Sequence, residues 1–139
     1  MSTNERFTEN EIDYLKSQRL GRLATVGPGR RPHVVPVGFR LNAEEGVIEI
    51  GGRALAKSKK FRDLQAEPAA AFVVDDLASV DPWTPRGVEI RGRAEVFESG
   101  GDRFGPGWDP AWIRINPERI VAWGLDSSAF SGANARSVA

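Results

Sequence analysis

The sequence predicts a mainly β protein, a β-barrel with a few helices, folded as one domain. Several short runs alternate between apolar and polar residues, which is the pattern of half-buried strands. Fifteen glycines and nine prolines supply the turns that many short strands require. A chain of 139 residues favours a single core. Short strands interrupted by one crossover helix indicate an antiparallel barrel.

An N-terminal helix is predicted to begin after Thr8. Thr8 and Glu11 have the spacing of a capping box. Ile12 and Leu15 then form one apolar stripe, so this helix should cover a sheet or one end of a barrel. Gly21 is expected to end it.

Three strands are expected to follow as a meander. They are Arg22–Val26, Pro32–Leu41 and Val47–Gly51, and Gly27-Pro28-Gly29 forms the first turn. In the second strand, alternation places four apolar side chains on one face, namely Val35, Val37, Phe39 and Leu41. In the third, Ile48 and Ile50 should point inward.

The second half of the chain is predicted to contain one more helix and three more strands. Lys57–Ala66 forms the helix, which Pro68 ends. Ala69–Val74 is almost wholly apolar, so it is expected to be a strand buried on both faces. Gly87–Phe97 has the clearest alternation, and the last strand is Arg119–Leu125.

The remaining segments are predicted to be irregular. Asp75–Arg86 and Glu98–Pro110 are expected to be loops, because they are rich in proline or glycine and polar residues. We place the barrel domain at residues 1–126 and a flexible tail at residues 127–139, which are small and polar.

Composition excludes several functions. Lys plus Arg and Asp plus Glu both number 19, which argues against a general nucleic-acid binder. Without cysteine, and with His33 as the single histidine, thiol chemistry and a histidine metal cluster are excluded. No apolar run approaches the roughly 18 residues of a membrane span. Because Met1–Arg6 lacks the apolar core of a signal peptide, we expect a cytoplasmic protein.

A basic segment at the start of the second helix is the best candidate for binding. Five cations lie within ten residues, namely Arg53, Lys57, Lys59, Lys60 and Arg62, with Ser58 among them. Cations at a helix N-terminus are unfavourable unless an anion neutralises them. Free N–H groups, a hydroxyl and basic side chains together suit a phosphate. A solvated basic helix face is the alternative interpretation.

Pro36 marks a second place of interest. A proline inside a strand removes a ladder donor, so Val35-Pro36-Val37 should lie at an edge where a flat ring could meet exposed backbone groups. An edge proline that prevents aggregation is the simpler explanation.

Four tryptophans, Trp83, Trp108, Trp112 and Trp123, could stack on a ring or pack in the core and at an interface. For each one alone, packing is favoured. No nucleophile, base and acid can be assembled, so the catalytic residues stay unknown. Hydride transfer needs few side chains, because its cofactor carries the chemistry.

Taken in order, five segments resemble the pyridoxamine 5'-phosphate oxidase-like split β-barrel superfamily, and within it the group that uses the deazaflavin F420. These are Leu23–Val26, His33–Phe39, Lys57–Leu64, Arg86–Ala94 and Arg119–Leu125. The resemblance spans about Phe7 to Asp126. The loop Glu98–Trp112 departs from it, being glycine-rich where many relatives have a helix.

The resemblance implies a homodimeric, FMN-binding-like split β-barrel with cofactor sites between the subunits. In such proteins the strand that matches Val35, Pro36 and Val37 lies along the cofactor ring, and the basic segment holds the phosphate. The implied phosphate ligands are Arg53, Lys57, Ser58 and Lys60, and Trp123 would come from the barrel wall or the second subunit.

Three functions follow from the resemblance and the basic segment. The first is an F420-dependent oxidoreductase that delivers hydride to a small, electron-poor organic substrate. FMN is the alternative cofactor, since a phosphate site would serve both. A non-catalytic cofactor carrier is the third. The acidic tail of F420 would benefit from further cations such as Lys59, Arg62 or Arg91.

Overall fold

The computed structural model describes residues 5–139 and confirms a mainly β architecture with two helices. In chain order, the elements are α1 (Glu9–Ser17), β1 (Leu20–Val26), β2 (Pro32–Gly38), β3 (Arg40–Asn42), β4 (Val47–Ile50), α2 (Lys59–Ala66), β5 (Ala69–Ser79), β6 (Thr84–Phe97), β7 (Trp112–Trp123) and β8 (Asn134–Ser137). The strands form one antiparallel sheet in the order β2-β1-β5-β6-β7-β4-β3, and β8 also pairs with β7.

The sheet curls into a split barrel because its two end strands are consecutive parts of one run of chain. β2 pairs with β1 at one end of the order, β3 pairs with β4 at the other, and Phe39 alone separates them. The predicted single strand Pro32–Leu41 is therefore broken at Phe39, although its expected pairing with both neighbours holds. In the described part of the chain no ladder joins β2 to β3, and we call this opening the seam.

The core lies inside the curled sheet, and the predicted inward residues are confirmed. Ile48 and Ile50 of β4 are fully buried, as are Val88 and Ile90 of β6. The two helices cover this core with apolar side chains, chiefly Leu15 from α1 and Phe61 and Leu64 from α2. Burying each such side chain stabilises the fold by roughly 1.5–3 kcal/mol, so packing defines the barrel.

Helix α1 has the predicted capping box. The Thr8 hydroxyl accepts a hydrogen bond from the Glu11 N–H at 3.1 Å, and the Glu11 carboxylate accepts one from the Thr8 N–H at 3.0 Å. Gly21 does not end this helix, which stops at Ser17. It lies in β1, where a Cβ would come within 2.2 Å of the Phe72 ring, so close packing explains this glycine.

Two predictions in the β5–β6 region are wrong. The first half of β5 is not buried on both faces, because only Phe72 and Val74 are buried and their neighbours are partly exposed in the single chain. The segment Asp75–Arg86 is not a loop but a hairpin that continues both strands. Pro85 fits into β6 because the ladder shifts register beside it, between Leu77 and Ser79.

The last residues contain a strand where the sequence predicts a flexible tail. Asn134–Ser137 forms β8 on β7, and Val138 is buried. The Arg136 guanidinium donates to the Glu11 carboxylate at 3.0 Å, which attaches this end of the chain to α1. Residues 134–137 lack the apolar alternation that identifies the other strands, so periodicity missed them.

Candidate functional site

The seam opens into a cavity of about 360 Å³, which we call the seam pocket. Its walls come from the end of α1, the junction of β2 and β3, the end of β4 and the loop before β7. The lining residues are Gln18, Arg19, Gly38, Phe39, Arg40, Glu49, Gly51, Arg103, Phe104 and Trp108. The pocket therefore combines three aromatic rings with three guanidinium groups and one carboxylate.

Two glycines allow the aromatic rings to lie directly against the backbone. A Cβ on Gly51 would come within 2.7 Å of the Phe104 ring and 3.1 Å of the Trp108 ring. A Cβ on Gly105 would come within 2.6 Å of the Trp108 indole nitrogen. The glycine-rich loop thus carries two rings that form a wall of the seam pocket.

A buried carboxylate organises the cations of the seam pocket. Glu49 is 4% exposed, and its carboxylate accepts hydrogen bonds from Arg40 Nε at 3.1 Å, Arg103 at 3.4 Å and Asn42 at 3.3 Å. The Arg103 guanidinium also lies over the Trp112 ring, 4.2 Å from its centroid. Glu49 therefore fixes two guanidinium groups at the pocket wall, where each retains unused N–H donors.

Part of the predicted basic segment is used for local structure. The Ser58 hydroxyl caps α2, accepting from the Phe61 N–H at 3.3 Å and donating to the Leu55 carbonyl at 2.6 Å. Lys59 pairs with Asp63 at 2.9 Å, and Arg62 donates to a backbone carbonyl at 2.7 Å. These two of the five cations are consequently engaged within the chain.

The side chains of the other three cations, Arg53, Lys57 and Lys60, make no hydrogen bond or ion pair with any described residue. Lys60 is half-buried, and this burial lowers the pKa of its ammonium group. The backbone N–H groups of Lys59 and Lys60, in the first turn of α2, have no acceptor in residues 5–139, as is usual at the positive end of a helix. A phosphate fits this set of donors.

The basic segment and the seam pocket are adjacent. Gly51 lines the pocket, and a Cβ on Gly107 would lie 3.3 Å from an Arg53 guanidinium nitrogen. The Asp109 carboxylate accepts a hydrogen bond from the Ala56 N–H at 3.0 Å. The loop that carries Trp108 is thereby attached to the segment that carries Arg53 and Lys57.

The predicted ring-binding strand lies on the other side of the pocket. Val35 is half-buried, Pro36 is exposed and Val37 is buried, all in β2, and the pocket begins with the next residue, Gly38. β2 pairs only with β1 within the described residues, so the proline-bearing strand lies at the end of the sheet as predicted. Two of the predicted site segments therefore lie next to residues of this cavity, although none of the predicted site residues lines it.

Comparison with known proteins assigns the family. A family model described as pyridoxamine 5'-phosphate oxidase matches residues 7–130. This chain belongs to the pyridoxamine 5'-phosphate oxidase family. It is 45% identical over 132 residues to 5a,11a-dehydrotetracycline/5a,11a-dehydrooxytetracycline reductase from Streptomyces rimosus, covering 95% of this chain and 93% of that reductase.

Solved structures of related proteins agree with this family. A conserved hypothetical protein from Mycobacterium tuberculosis superposes with a TM-score of 0.69 at 25% identity, covering 96% of this chain and 92% of the other. An F420 reductase superposes with a TM-score of 0.64 at 25% identity, covering 82% and 98% respectively. This member of the pyridoxamine 5'-phosphate oxidase family is an oxidoreductase with the split-barrel fold.

Trp123 is the predicted site residue that lies outside β2 and the basic segment. It ends β7 opposite Gly87, where a Cβ would come within 2.5 Å of its ring, and it does not line the seam pocket. A role for it at the cofactor in this family member requires a second subunit and stays a prediction.

Sequence reasoning missed the polar part of the seam pocket. Glu49 lies in an apolar strand between Ile48 and Ile50, and Arg40 is its direct partner across β3 and β4. Period-two alternation places a carboxylate between two inward isoleucines on the opposite face of the strand, so its burial and its partners are known only from the structure. Arg103 comes from a distant loop, so local patterns could not find it.

No helix in residues 5–139 is long and apolar enough to cross a membrane. Over the same range, no group of three or more His, Asp or Glu residues could hold a metal ion.

Proposed function

We propose that this chain is an F420-dependent oxidoreductase that transfers hydride from the reduced deazaflavin to a small, electron-poor organic substrate. The observation that carries the proposal is the set of unpaired cations at the start of α2, next to a cavity with aromatic walls. The reductase from Streptomyces rimosus and the F420 reductase structure support the same reaction class.

In this proposal, Arg53, Lys57 and Lys60 bind the cofactor phosphate together with the free N–H groups of α2. Lys60 is the central member, because it is already desolvated and has no partner within residues 5–139. A phosphate there would stabilise the ammonium ion and the helix N-terminus at once. Ser58 positions these groups by capping the helix.

The backbone of Val35, Pro36 and Val37 would face the cofactor ring, with Trp123 supplied by the second subunit. When bound, the reduced deazaflavin supplies the hydride, so the protein's part is to bind, orient and exclude water. The seam pocket begins at the end of this strand, and Phe104 and Trp108 cover one side of it. A substrate in the pocket would thus lie beside the ring and away from bulk water.

The proposed substrate is an electron-poor C=C or C=N compound that fits the seam pocket. Its cavity of about 360 Å³ suits a small organic molecule. The Streptomyces relative is named for the reduction of a dehydrotetracycline. A conjugated polycyclic enone is accordingly the first substrate to test.

The deciding experiment titrates the purified protein with F420 and with FMN side by side, followed by absorbance. We expect low-micromolar or tighter binding of F420. The Lys57→Ala variant should bind about tenfold more weakly or worse, because one charge-assisted phosphate contact contributes roughly 1.5–3 kcal/mol.

Lys16→Ala is the matched control, since Lys16 is an exposed lysine in the last turn of α1 and its loss changes the net charge equally. It should leave the affinity unchanged. Absent binding, or equal affinity in Lys57→Ala and the unaltered protein, would contradict the proposal. Turnover with enones or imines then separates a reductase from a non-catalytic carrier.

One observation favours FMN as a second candidate cofactor. The cations suited to an acidic cofactor tail are engaged elsewhere, since Lys59 pairs with Asp63 and Arg91 with Glu89. FMN has a phosphate but no such tail. A protein that is purified yellow and binds FMN more tightly than F420 would establish this alternative.

We propose in addition that the protein is a homodimer. Val34 is 64% exposed and Leu20 is 55% exposed, and in the ladders Val34 lies in one row with Ala24 and Ala71. Such an exposed apolar sheet face is typical of an interface. Sedimentation equilibrium should give twice the monomer mass, and Val34→Glu should shift the protein towards the monomer.

A further inference from the structure

The charges of the seam pocket do not balance. Three arginines, Arg19, Arg40 and Arg103, line it together with one acidic residue, Glu49. Glu49 is bound by Arg40 and Arg103, whereas Arg19 has no hydrogen-bond or ion-pair partner among residues 5–139. The pocket therefore carries a surplus of positive charge when only protein groups are counted.

The guanidinium group of Arg103 is also held in place rather than mobile. Arg103 donates to the Gly100 carbonyl at 2.7 Å and to Glu49, and it lies over the rings of Phe104 and Trp112 at 4.4 and 4.2 Å. Of its five N–H donors, three remain unused. A fixed planar cation with spare donors is suited to bind a carboxylate or an enolate.

The remaining walls of the pocket are flat and apolar. Phe39, Phe104 and Trp108 line it, together with Gly38, which has no side chain to obstruct a ligand. Aromatic walls favour a planar, conjugated ligand, because such rings stack with low loss of conformational freedom. Rings and surplus cations occur in the same cavity, so one ligand should satisfy both.

We infer that the seam pocket selects a planar, conjugated substrate that carries a negative charge, and that Arg19 and Arg103 determine this selectivity. The inference rests on the proposed function, because it names the substrate class of the proposed reductase. Arg103 positions the anionic group from the loop, and Arg19 neutralises it from the end of α1.

The test compares two probes of one shape in the cofactor-free protein, anthracene-2-carboxylate and anthracene-2-carboxamide, by isothermal titration calorimetry. The carboxylate should bind about tenfold more tightly or better, as expected for one charge-assisted contact. Arg19→Gln and Arg103→Gln should each reduce that preference to about threefold or less. Arg19→Gln is the cleaner variant, since the Arg19 side chain makes no hydrogen bond or ion pair with a described residue.

Arg119→Gln is the matched control, because Arg119 is an exposed β7 residue that does not line the pocket and its loss changes the net charge equally. It should keep the full preference. Equal affinity for acid and amide, or a preference that both pocket variants retain, would overturn the inference.

Titration of the same samples with F420 distinguishes the two proposals. If the protein binds F420 but binds the two probes equally, only the proposed substrate class is refuted. If it does not bind F420 but clearly prefers the carboxylate probe, only the proposed cofactor is refuted. Displacement of the probe by F420 would overturn the inference as well, since the pocket would then be the cofactor's own site.

Discussion

The two helices begin in opposite ways. α1 has Glu9 and Glu11 in its first turn, together with a reciprocal capping box. α2 has Lys59 and Lys60 in its first turn and no acidic residue there, although Ser58 caps it. Negative charge stabilises a helix N-terminus and positive charge destabilises it. The first helix start is organised for stability, and the second has a charge arrangement that only a bound anion would favour.

The contrast between the two helix starts becomes sharper when the two lysines of α2 are considered one at a time. Lys59 forms an ion pair with Asp63, which lies four residues later and is buried. The Asp63 carboxylate also accepts a hydrogen bond from the Thr25 hydroxyl at 2.9 Å. Lys60 has neither kind of partner within residues 5–139 and is half-buried. The unexplained cation of the helix is therefore Lys60, and the contrast with α1 can be tested there.

The largest effect is expected at the stable helix start. Glu11 is fully buried and bound to Arg136, so Glu11→Ala leaves a partly buried guanidinium unpaired and removes half of the capping box. We expect a loss of about 3 kcal/mol in the free energy of unfolding, measured by urea denaturation. Glu9→Ala, an exposed change in the same turn, should cost under about 0.5 kcal/mol.

Acidic pH should weaken the ion pair of α2. Burial raises the pKa of Asp63, but the hydrogen bonds from Lys59 and Thr25 outweigh it, so this pKa lies below its ordinary value. At Asp76, the hydrogen bond from Arg86 likewise lowers the pKa. The unfolded chain therefore binds protons first as the pH falls.

Stability should be complete above about pH 4, near the ordinary pKa of Asp, and decline as the pH falls through the lower folded values. Urea denaturation between pH 3 and 6 measures this decline, and Asp63→Asn should make it shallower. An unchanged slope in that variant would show that Asp63 is not part of the effect.

The two caps should be nearly equivalent in stability and different in binding. Thr8→Ala and Ser58→Ala each remove a side-chain acceptor from a helix N–H, which costs about 1 kcal/mol. Only Ser58→Ala should also weaken FMN or F420 binding, measured by absorbance titration. Equal binding in both variants would remove Ser58 from the proposed phosphate site.

The smallest stability effect concerns Lys60. Burial without a partner disfavours its charge, so Lys60→Met should raise the free energy of unfolding by up to about 0.5 kcal/mol and lower cofactor affinity. Lys16→Met serves as the exposed control and should change neither. A variant that loses both stability and affinity would indicate that Lys60 contributes to packing instead.

Much of the fold could be predicted because its determinants are local. The capping box of Thr8 and Glu11 lies within one turn, and the inward positions of β4 and β6 follow from period-two alternation. The basic segment was found for the same reason. Its chemistry depends on neighbours along the chain, and Lys57, Ser58 and Lys60 lie within four residues.

The rest depended on contacts between distant residues. Gly21 is explained by the Phe72 ring, and Glu49 by guanidinium groups from β3 and from a later loop. Strand register and loop position decide such contacts, and neither can be obtained from one sequence by periodicity. The break at Phe39 could not be predicted for the same reason. The alternation of apolar and polar residues continues through Phe39, although the chain pairs with β1 before this residue and with β4 after it.

The seam has a consequence for how this protein could diversify. Gly38, Phe39 and the loop around Phe104 surround the cavity, yet none of them belongs to the ladders that hold β5, β6 and β7 together. Substitutions at this rim would leave the hydrogen-bonded frame intact. Side chains at this rim can therefore change one at a time without breaking those ladders, provided that the packing of Phe39 on Phe72 and of Phe104 on Trp112 is kept.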